Sequence, residues 1–269
     1  MLYELGAWTY ERTRPIFQMM SYNLVPLAAI EGTAAGRIWV DDATHPRMAL
    51  LWDEAHELFF AGDLPAPELA QALRRLLVGE VYSVVGERWP FVVHYCPLGW
   101  EEPLDRILAG RSWAQASRRL YRFVGATSHR PPEIPAGLEM QRVEASFLAR
   151  KDLGGRAPLD EWLSECWRSA EEFLRHGVAY CLLHGPAIVS WCGVEYVNGR
   201  RCGLGVETEE QQRNKGYATL VAAACVRECL ARGLLVHWDC WVSNLASARV
   251  AEKLGFGEAV EYLVRFLPG

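Results

Sequence analysis

A polar loop leading into a long apolar helix contains the residues of this sequence that are best suited to bind an anion. The loop lies within Leu204–Thr219, where a strand is predicted to end near Thr208 and a helix to begin at Gly216. The first amides of a helix have no intrahelical acceptor and lie at the positive end of the helix dipole. Gly216 allows close approach to the backbone, and Arg213 and Lys215 add two cations. The loop therefore predicts a diphosphate site; in the alternative interpretation Gly216 only eases the turn into the helix and both cations are solvated.

Hydrophobic periodicity predicts the elements that must position this loop, all of them after a proline-rich break at residues 128–135. The pair Asn198-Gly199 predicts a hairpin turn in which both residues adopt positive φ. Ser243 or Asn244 is the predicted N-cap of the last helix. The predicted strands are Leu138–Phe147, Val178–Leu183, Ile188–Val197, Arg201–Thr208, Leu235–Val242 and Val260–Phe266, and the predicted helices are Leu159–Leu174, Gly216–Arg232 and Leu245–Leu254.

The first half of the chain has predicted helices and strands in the same order as the later part of the second half. Its predicted elements are paired strands at Gly36–Asp41 and Met48–Asp53, helices at Pro67–Val78 and Glu101–Leu108, and strands at Phe91–Cys96 and Ser117–Val124. The order helix, strand, short helix, strand occurs in both halves, which indicates an internal duplication. We therefore predict a first domain over residues 1–127, a linker over 128–137 and a second domain over 138–269.

The composition is that of a globular protein without a polyanionic partner. The chain has 269 residues, 51% of them hydrophobic, and a net charge of −5, so nothing favours nucleic-acid binding by bulk charge. The eight cysteines show no paired spacing, which favours reduced core thiols over a metal site or disulfides. No signal peptide and no membrane-spanning run is evident, and we predict a cytoplasmic protein that binds no membrane.

Two motifs resemble the acyl-CoA-binding signatures of the GNAT superfamily of N-acetyltransferases. The first is Arg213-x-x-Gly216-x-Ala218, and the second is the segment Asn244–Phe256, which opens on asparagine and ends in Lys-x-Gly-Phe. The resemblance covers residues 138–269. It implies an α/β (α+β) fold with a mixed, mostly antiparallel GNAT-type sheet flanked by helices.

A narrower likeness is carried by four short stretches. They are Val206-x-Thr208, Arg213-x-Lys-Gly-x-Ala218, Trp238-Asp-Cys240 and Asn244-x-x-Ser247. Together they resemble the bacterial two-domain GNAT acetyltransferases related to zwittermicin A resistance proteins. This likeness implies two tandem GNAT-like halves, the first of them degenerate, since no Arg-x-x-Gly-x-Ala follows a strand there.

The resemblance also implies the cofactor, acetyl-CoA, and the residues that bind it. The pantetheine arm would lie along the backbone from Val206 to Thr208, and Asn244 and Ser247 would contact the same arm. The diphosphate would lie on the amides of the turn, with the Thr219 hydroxyl available to a phosphate oxygen. The residues implied for that turn are Arg213, Asn214, Lys215, Gly216, Tyr217 and Ala218.

Catalysis in this superfamily is direct attack of an amine on the thioester, which needs a base and often an acid. Glu207 and Asp239 are the main candidates for the base, with His237 and Glu195 as further ones. Buried structural roles for Asp239 and His237 stay open. The tyrosine that often acts as the acid is replaced by Ala251.

Two functions from different classes follow from these residues. The first is an acetyl-CoA-dependent N-acetyltransferase that acts on a small-molecule amine, as a monomer or a homodimer. The second is a non-catalytic acyl-CoA-binding sensor or scaffold, suggested by Ala251. Four tryptophans of the first half either form a surface that contacts a partner or lie in the core. They are Trp8, Trp39, Trp52 and Trp89.

Overall fold

The computed structural model describes residues 1–85, 91–125 and 133–267. The chain divides into two compact units, the first formed by Met1–Arg118 with Tyr262–Gly269 and the second by Arg119–Glu261. Much of the predicted linker, 128–137, falls in a segment outside the described residues, and the domain bounds stay a prediction. Within the described ranges, no helix combines the length and apolarity that a membrane crossing requires.

The first unit is built on a mostly antiparallel sheet. Strands β1 to β4 pair antiparallel in sequence order, β4 and β5 pair parallel, and Val264–Leu267 pairs antiparallel with β5. The strands are β1 (Tyr3–Glu4), β2 (Arg37–Val40), β3 (Met48–Trp52), β4 (Glu57–Gly62), β5 (Phe91–Cys96) and β6 (Ala114–Phe123). Residues 119–123 of β6 belong to the second unit. The α-helices are α1 (Arg14–Phe17), α2 (Val25–Glu31), α3 (Pro67–Leu76), α4 (Tyr82–Val85) and α5 (Glu101–Ile107), with 3-10 turns at Ala7–Thr13, Gln18–Met20 and Leu98–Trp100 and a π-helical turn at Leu77–Val81.

The predicted pairing of β2 with β3 is confirmed, with Arg37 opposite Trp52 and Val40 opposite Ala49. Strand β4 was not predicted. From Leu58 to Gly62 it is buried on both faces, so its sequence lacks the polar–apolar alternation that identifies a half-buried strand.

The second unit repeats the same plan. Strands β7 to β10 pair antiparallel in sequence order, and β10 and β11 pair parallel across a helix. The strands are β7 (Leu138–Arg142), β8 (Ala179–His184), β9 (Ala187–Asn198), β10 (Arg201–Thr208), β11 (Leu235–Trp241) and β12 (Phe256–Leu267). Residues 262–267 of β12 belong to the first unit. The α-helices are α6 (Ala145–Leu148), α7 (Ala157–Cys166), α8 (Ala170–His176), α9 (Tyr217–Ala231) and α10 (Leu245–Lys253), with a 3-10 turn at Glu210–Gln212. The predicted fold class is confirmed.

The order of elements supports a tandem arrangement. In the first unit three antiparallel strands, β2 to β4, are followed by α3 and the parallel strand β5. In the second unit β8 to β10 are followed by α9 and the parallel strand β11. A helical crossover of this kind is the usual way to join parallel strands.

The helix predicted at Leu159–Leu174 is in fact two helices, α7 and α8. The break lies at Trp167, whose backbone is extended and whose buried indole donates a hydrogen bond to the Val194 carbonyl over 3.0 Å. Ser169 then caps α8 by accepting from the amide of Glu172. Burial of the Trp167 side chain in the core interrupts the helix at this residue, although the helical periodicity of the sequence continues through it.

The hairpin between β9 and β10 is confirmed, but its turn is one residue later than predicted. Asn198 pairs with Arg201, so the two turn residues are Gly199 and Arg200. Gly199 has a φ of 55°, and Arg200 anchors the turn by donating two hydrogen bonds to the Gly233 carbonyl. The predicted strand Leu138–Phe147 is also shorter than expected, because α6 begins at Ala145.

The core of the second unit lies between its sheet and α9. Val221, Ala222 and Cys225 of that helix are fully buried. Seven of the eight cysteines are buried, as the prediction of core thiols requires, and Cys96 is half-buried. Of the four tryptophans, Trp39 and Trp52 lie in the first unit's core and Trp8 is exposed, while Trp89 is outside the described residues.

Candidate active site

The site is organised by a separation of two parallel strands. The register of β10 with β11 runs from Arg201 opposite Leu235 to Gly203 opposite His237. Beyond that pair, β10 continues to Thr208 with β9 as its registered neighbour. Between Leu204 and Val206, backbone groups on the edge of β10 that faces away from β9 are therefore available to a ligand.

The end of β10 is held by a buried hydroxyl of β9. The Ser190 Oγ donates to the Glu207 carbonyl over 2.9 Å and lies 2.8 Å from the Thr208 Oγ1. The Arg213 Nε donates to the Thr208 carbonyl over 3.4 Å. These bonds fix the strand end against the loop that follows it.

The loop ends in an uncapped helix N-terminus. Asn214 and Gly216 have φ values of 64° and 83°, and Gly216 is the N-cap of α9 without a side-chain cap. A Cβ built at Gly216 meets no atom within 4 Å, so the backbone there faces open space. In the described part of the chain, the amides from Asn214 to Thr219 donate to no backbone acceptor. They form the cluster of free donors that an anion needs.

A cavity of about 720 Å³ connects the strand end, this loop and α10. Ten of the eleven predicted cofactor residues line it, and so does Glu207. Lys215 does not line it, and its ammonium donates to the Gln212 Oε1 over 2.8 Å. Five lining residues were not predicted from the sequence: Gln212, Ala246, Arg249, Val250 and Lys253. The lining residues that were predicted are Val206, Glu207, Thr208, Arg213, Asn214, Gly216, Tyr217, Ala218, Thr219, Asn244 and Ser247.

Asn244 and Ser247 have structural bonds of their own. The Asn244 Oδ1 accepts from the Ser247 amide over 3.1 Å, which confirms Asn244 as the N-cap of α10. The Ser247 Oγ accepts from the indole of the buried Trp238 over 2.9 Å. The Asn-x-x-Ser motif thus ties α10 to β11 and brings its N-terminus to the cavity wall.

Glu207 is the carboxylate that lines the cavity. Partial desolvation raises the pKa of this carboxyl above its ordinary value, Arg213 opposes that shift, and Glu161 adds to it. A raised pKa brings a carboxylate closer to the basicity that proton transfer near neutral pH requires.

The other predicted bases occupy different surroundings. Burial, followed by the charges of Arg201 and Arg122, lowers the pKa of His237 to about 4, so its imidazole is neutral at pH 7. Asp239 is half-buried on β11 and is not among the cavity-lining residues. The Glu195 carboxylate lies over Gly205, in the space that a side chain at that position would fill.

The residue at the position of the usual tyrosine cannot act as a general acid in this chain. Ala251 is fully buried in the core of the second unit. Its methyl group has no acidic proton to donate.

Comparison with known proteins identifies the family. The family profile described as GNAT acetyltransferase matches residues 14–264. The uncharacterized N-acetyltransferase YdfB of Bacillus subtilis (strain 168) is 24% identical over 266 residues, which cover 99% of this chain and 98% of that protein.

Two solved structures share the fold. A GCN5-related N-acetyltransferase-like protein from Streptococcus suis 89/1591 has a TM-score of 0.69 at 22% identity, over 96% of this chain and 98% of its own. A tandem GNAT protein from the clavulanic acid biosynthesis pathway has a TM-score of 0.63 at 15% identity, over 99% of this chain and 97% of its own. The narrower likeness to zwittermicin A resistance proteins stays a prediction. The family profile spans most of the sequence, and the chain therefore belongs to the GNAT acetyltransferase family.

Proposed function

We propose that the second unit binds acetyl-CoA and transfers its acetyl group to an amine of a small molecule. The observation that carries this proposal is the group of free amides from Asn214 to Thr219, facing a cavity of about 720 Å³ beside the open edge of β10. Cavities of roughly 300–1,000 Å³ are typical of small-molecule sites.

The residues of the cavity fit the chemistry of the cofactor. The amides of the α9 N-terminus and the Arg213 guanidinium suit a diphosphate. The edge of β10 around Val206 and Thr208 offers the hydrogen-bonding groups that an amide-containing arm such as pantetheine requires. When bound, acetyl-CoA supplies a thioester carbon that an amine nitrogen attacks while the C–S bond breaks.

In this proposal Glu207 accepts the proton that the amine must lose. Its position at the end of β10 and its raised pKa support that role. His237 is too weakly basic, since its pKa is about 4, and Asp239 is kept as the second candidate. Because Ala251 offers no acid, the leaving thiolate takes its proton from another donor.

The test is thiol release from acetyl-CoA by the full chain in the presence of a panel of cationic, zwitterionic and neutral amines. We expect release above the buffer rate with at least one amine, together with mass-spectrometric detection of the acetylated amine. Glu207→Gln should slow the release while acetyl-CoA still binds.

A non-catalytic acyl-CoA sensor is the second candidate, and the buried Ala251 is the observation that favours it. Tight acetyl-CoA binding with no thiol release across the whole panel would support the sensor. Thiol release with stoichiometric product would exclude it.

A further inference from the structure

The sheet of the second unit has a face, opposite α9, on which the middle of β10 carries no side chains. The Cys202 thiol contacts Cys229 of α9, so the alternation of side chains along β10 places Gly203 and Gly205 on the opposite face. Glycine allows another group to approach the strand backbone closely. We call this surface, from Arg201 to Glu207 on the side away from α9, the glycine face.

The end of the glycine face near Glu207 is anionic. A Cβ built at Gly205 would clash with the Glu195 Oε1, so the Glu195 carboxylate lies directly over β10 at that point. Glu207 is two residues further along the same face. Glu161 of α7 adds a negative charge nearby, since it contributes to the raised pKa of Glu207. A ligand at this end would be favoured by a positive charge.

The other end of the glycine face is cationic. Arg201 precedes Gly203 by two residues, and His237 is the registered partner of Gly203, so both side chains lie on this face. The charges of Arg201 and of Arg122, an exposed residue of β6, both help to lower the pKa of His237. Gly203 and Glu207 are four residues apart, about 13 Å along the strand. The two ends of the face therefore carry opposite charges with glycine between them.

His237 lies between these ends with a polar atom that is unsatisfied. The residue is 6% exposed, and among the residues that the structure describes its Nδ1 has no hydrogen-bond partner. A buried polar atom without a partner is unfavourable, and a ligand that covers the glycine face beside Gly203 would supply one. This observation is independent of the charges at the two ends.

We infer that the amine acceptor is a zwitterion that lies along the glycine face. Its amine lies against the two carboxylates of the anionic end, Glu195 and Glu207. Its carboxylate lies against the guanidinium groups of Arg122 and Arg201, whose donors suit a carboxylate. The inference rests on the proposed function, because it names the substrate class of the same reaction.

The geometry also limits the length of the acceptor. The two ends are about 13 Å apart at the backbone, and side chains reach inward from both of them. The amine and the carboxylate of the acceptor must therefore be separated by several bonds, as in an ω-amino acid with a chain of intermediate length. An α-amino acid without a side-chain amine is too short to reach both ends.

The test compares three series of straight-chain acceptors in thiol release from acetyl-CoA by the full chain. The series are ω-amino acids, n-alkylamines and α,ω-diamines, each with chains of four to eight carbons. These acceptors share a primary amine at one end and differ in the charge of the other end. We expect the highest kcat/KM for an ω-amino acid of intermediate length, at least about tenfold above the alkylamine of the same length, as one charge-assisted contact provides.

Two variants remove the cationic end. Arg122→Gln should reduce this preference at least about threefold, and Arg122→Gln/Arg201→Gln should reduce it to about one. Arg201 also donates to the Asn198 Oδ1 over 2.6 Å, so the single variant keeps the test decisive if the double variant does not fold. Arg175→Gln is the matched control, because that exposed arginine pairs with Glu171 on α8, and it should keep the wild-type preference.

The outcomes separate this inference from the function on which it rests. Equal kcat/KM for the three series, a higher kcat/KM for the diamines, or an undiminished preference in both variants would overturn the zwitterionic acceptor and leave the proposed function standing. Thiol release with neither these series nor the wider amine panel would overturn both.

Discussion

Gly203 and His237 stand opposite each other in the last registered pair of β10 and β11. The equivalent pair in the first unit is Phe59 with His94, also the third pair of its parallel strands. There, however, the register continues for two more pairs, to Ala61 opposite Cys96. The opening between parallel strands therefore exists in the second unit at a point where the first unit is still paired. This difference between the two units supports the prediction that the first half is degenerate.

Glu207→Gln should reduce kcat by about 100-fold, the usual contribution of a general base. The acetyl-CoA Kd should change little, because the amide is nearly isosteric with the carboxyl group. Steady-state kinetics and calorimetric titration measure the two effects. The neighbouring carboxylate Glu209 is outside the cavity lining, and Glu209→Gln should keep wild-type kcat; equal losses in both variants would remove Glu207 from the reaction.

The pH profile provides a second test of Glu207. The carboxyl must be ionised to accept a proton, and its pKa is raised above the ordinary 4.5. The acidic limb of kcat/KM should therefore lie at a higher pH than an ordinary glutamate would give, and it should disappear from the residual activity of Glu207→Gln. An acidic limb that is unchanged in the variant would assign it to another group.

His237 should make stability depend on pH. Its folded-state pKa of about 4 lies below the ordinary 6.5, so between these values the unfolded chain binds a proton that the folded chain does not. The stability from the neutral imidazole is fully present above pH 6.5 and is lost as the pH falls toward 4, by on the order of 3 kcal/mol. Urea unfolding at pH 7.5 and 4.5 should show a smaller pH-dependent loss for His237→Asn than for the wild type. An identical loss would contradict the assignment.

Asn244 should stabilise α10 through its cap. Asn244→Ala removes the acceptor for the Ser247 amide and should lower the free energy of unfolding by about 1 kcal/mol. Asn244→Ser keeps a capping oxygen, and its free energy of unfolding should stay within about 0.5 kcal/mol of the wild type. Equal destabilisation by both substitutions in urea titrations would argue against the capping role.

Sequence patterns predicted the elements whose signals are local. Helix α9 follows from a long apolar run after Gly216, and α10 follows from its Asn244 cap and Lys253 near its end. The β9–β10 hairpin follows from a glycine turn, although its position shifted by one residue because Asn198 stays in the strand. Each of these features is decided within a few residues of chain.

Features that depend on tertiary packing could not be predicted from the sequence. The break at Trp167 needs the Val194 carbonyl, which is 27 residues away. The role of Arg249 as a cavity-lining cation depends on how α10 meets the loop before α9, and no pattern within α10 reveals that. The position of Glu195 over Gly205 depends on a shift of register between Cys202 and Leu204.

Calorimetric titration of acetyl-CoA into Gly216→Asp and Gly216→Asn tests the central claim most directly. Both side chains share the strain of the positive φ of 83° at this position, which Asn and Asp adopt more readily than other residues with a Cβ. The two variants therefore differ mainly by one negative charge at the helix N-terminus. We predict micromolar binding by the wild-type protein, at most about tenfold weaker binding by Gly216→Asn, and at least about 100-fold weaker binding by Gly216→Asp. Equal affinities of the two variants, or a wild-type protein that produces no binding heat, would contradict a diphosphate site on the amides of α9.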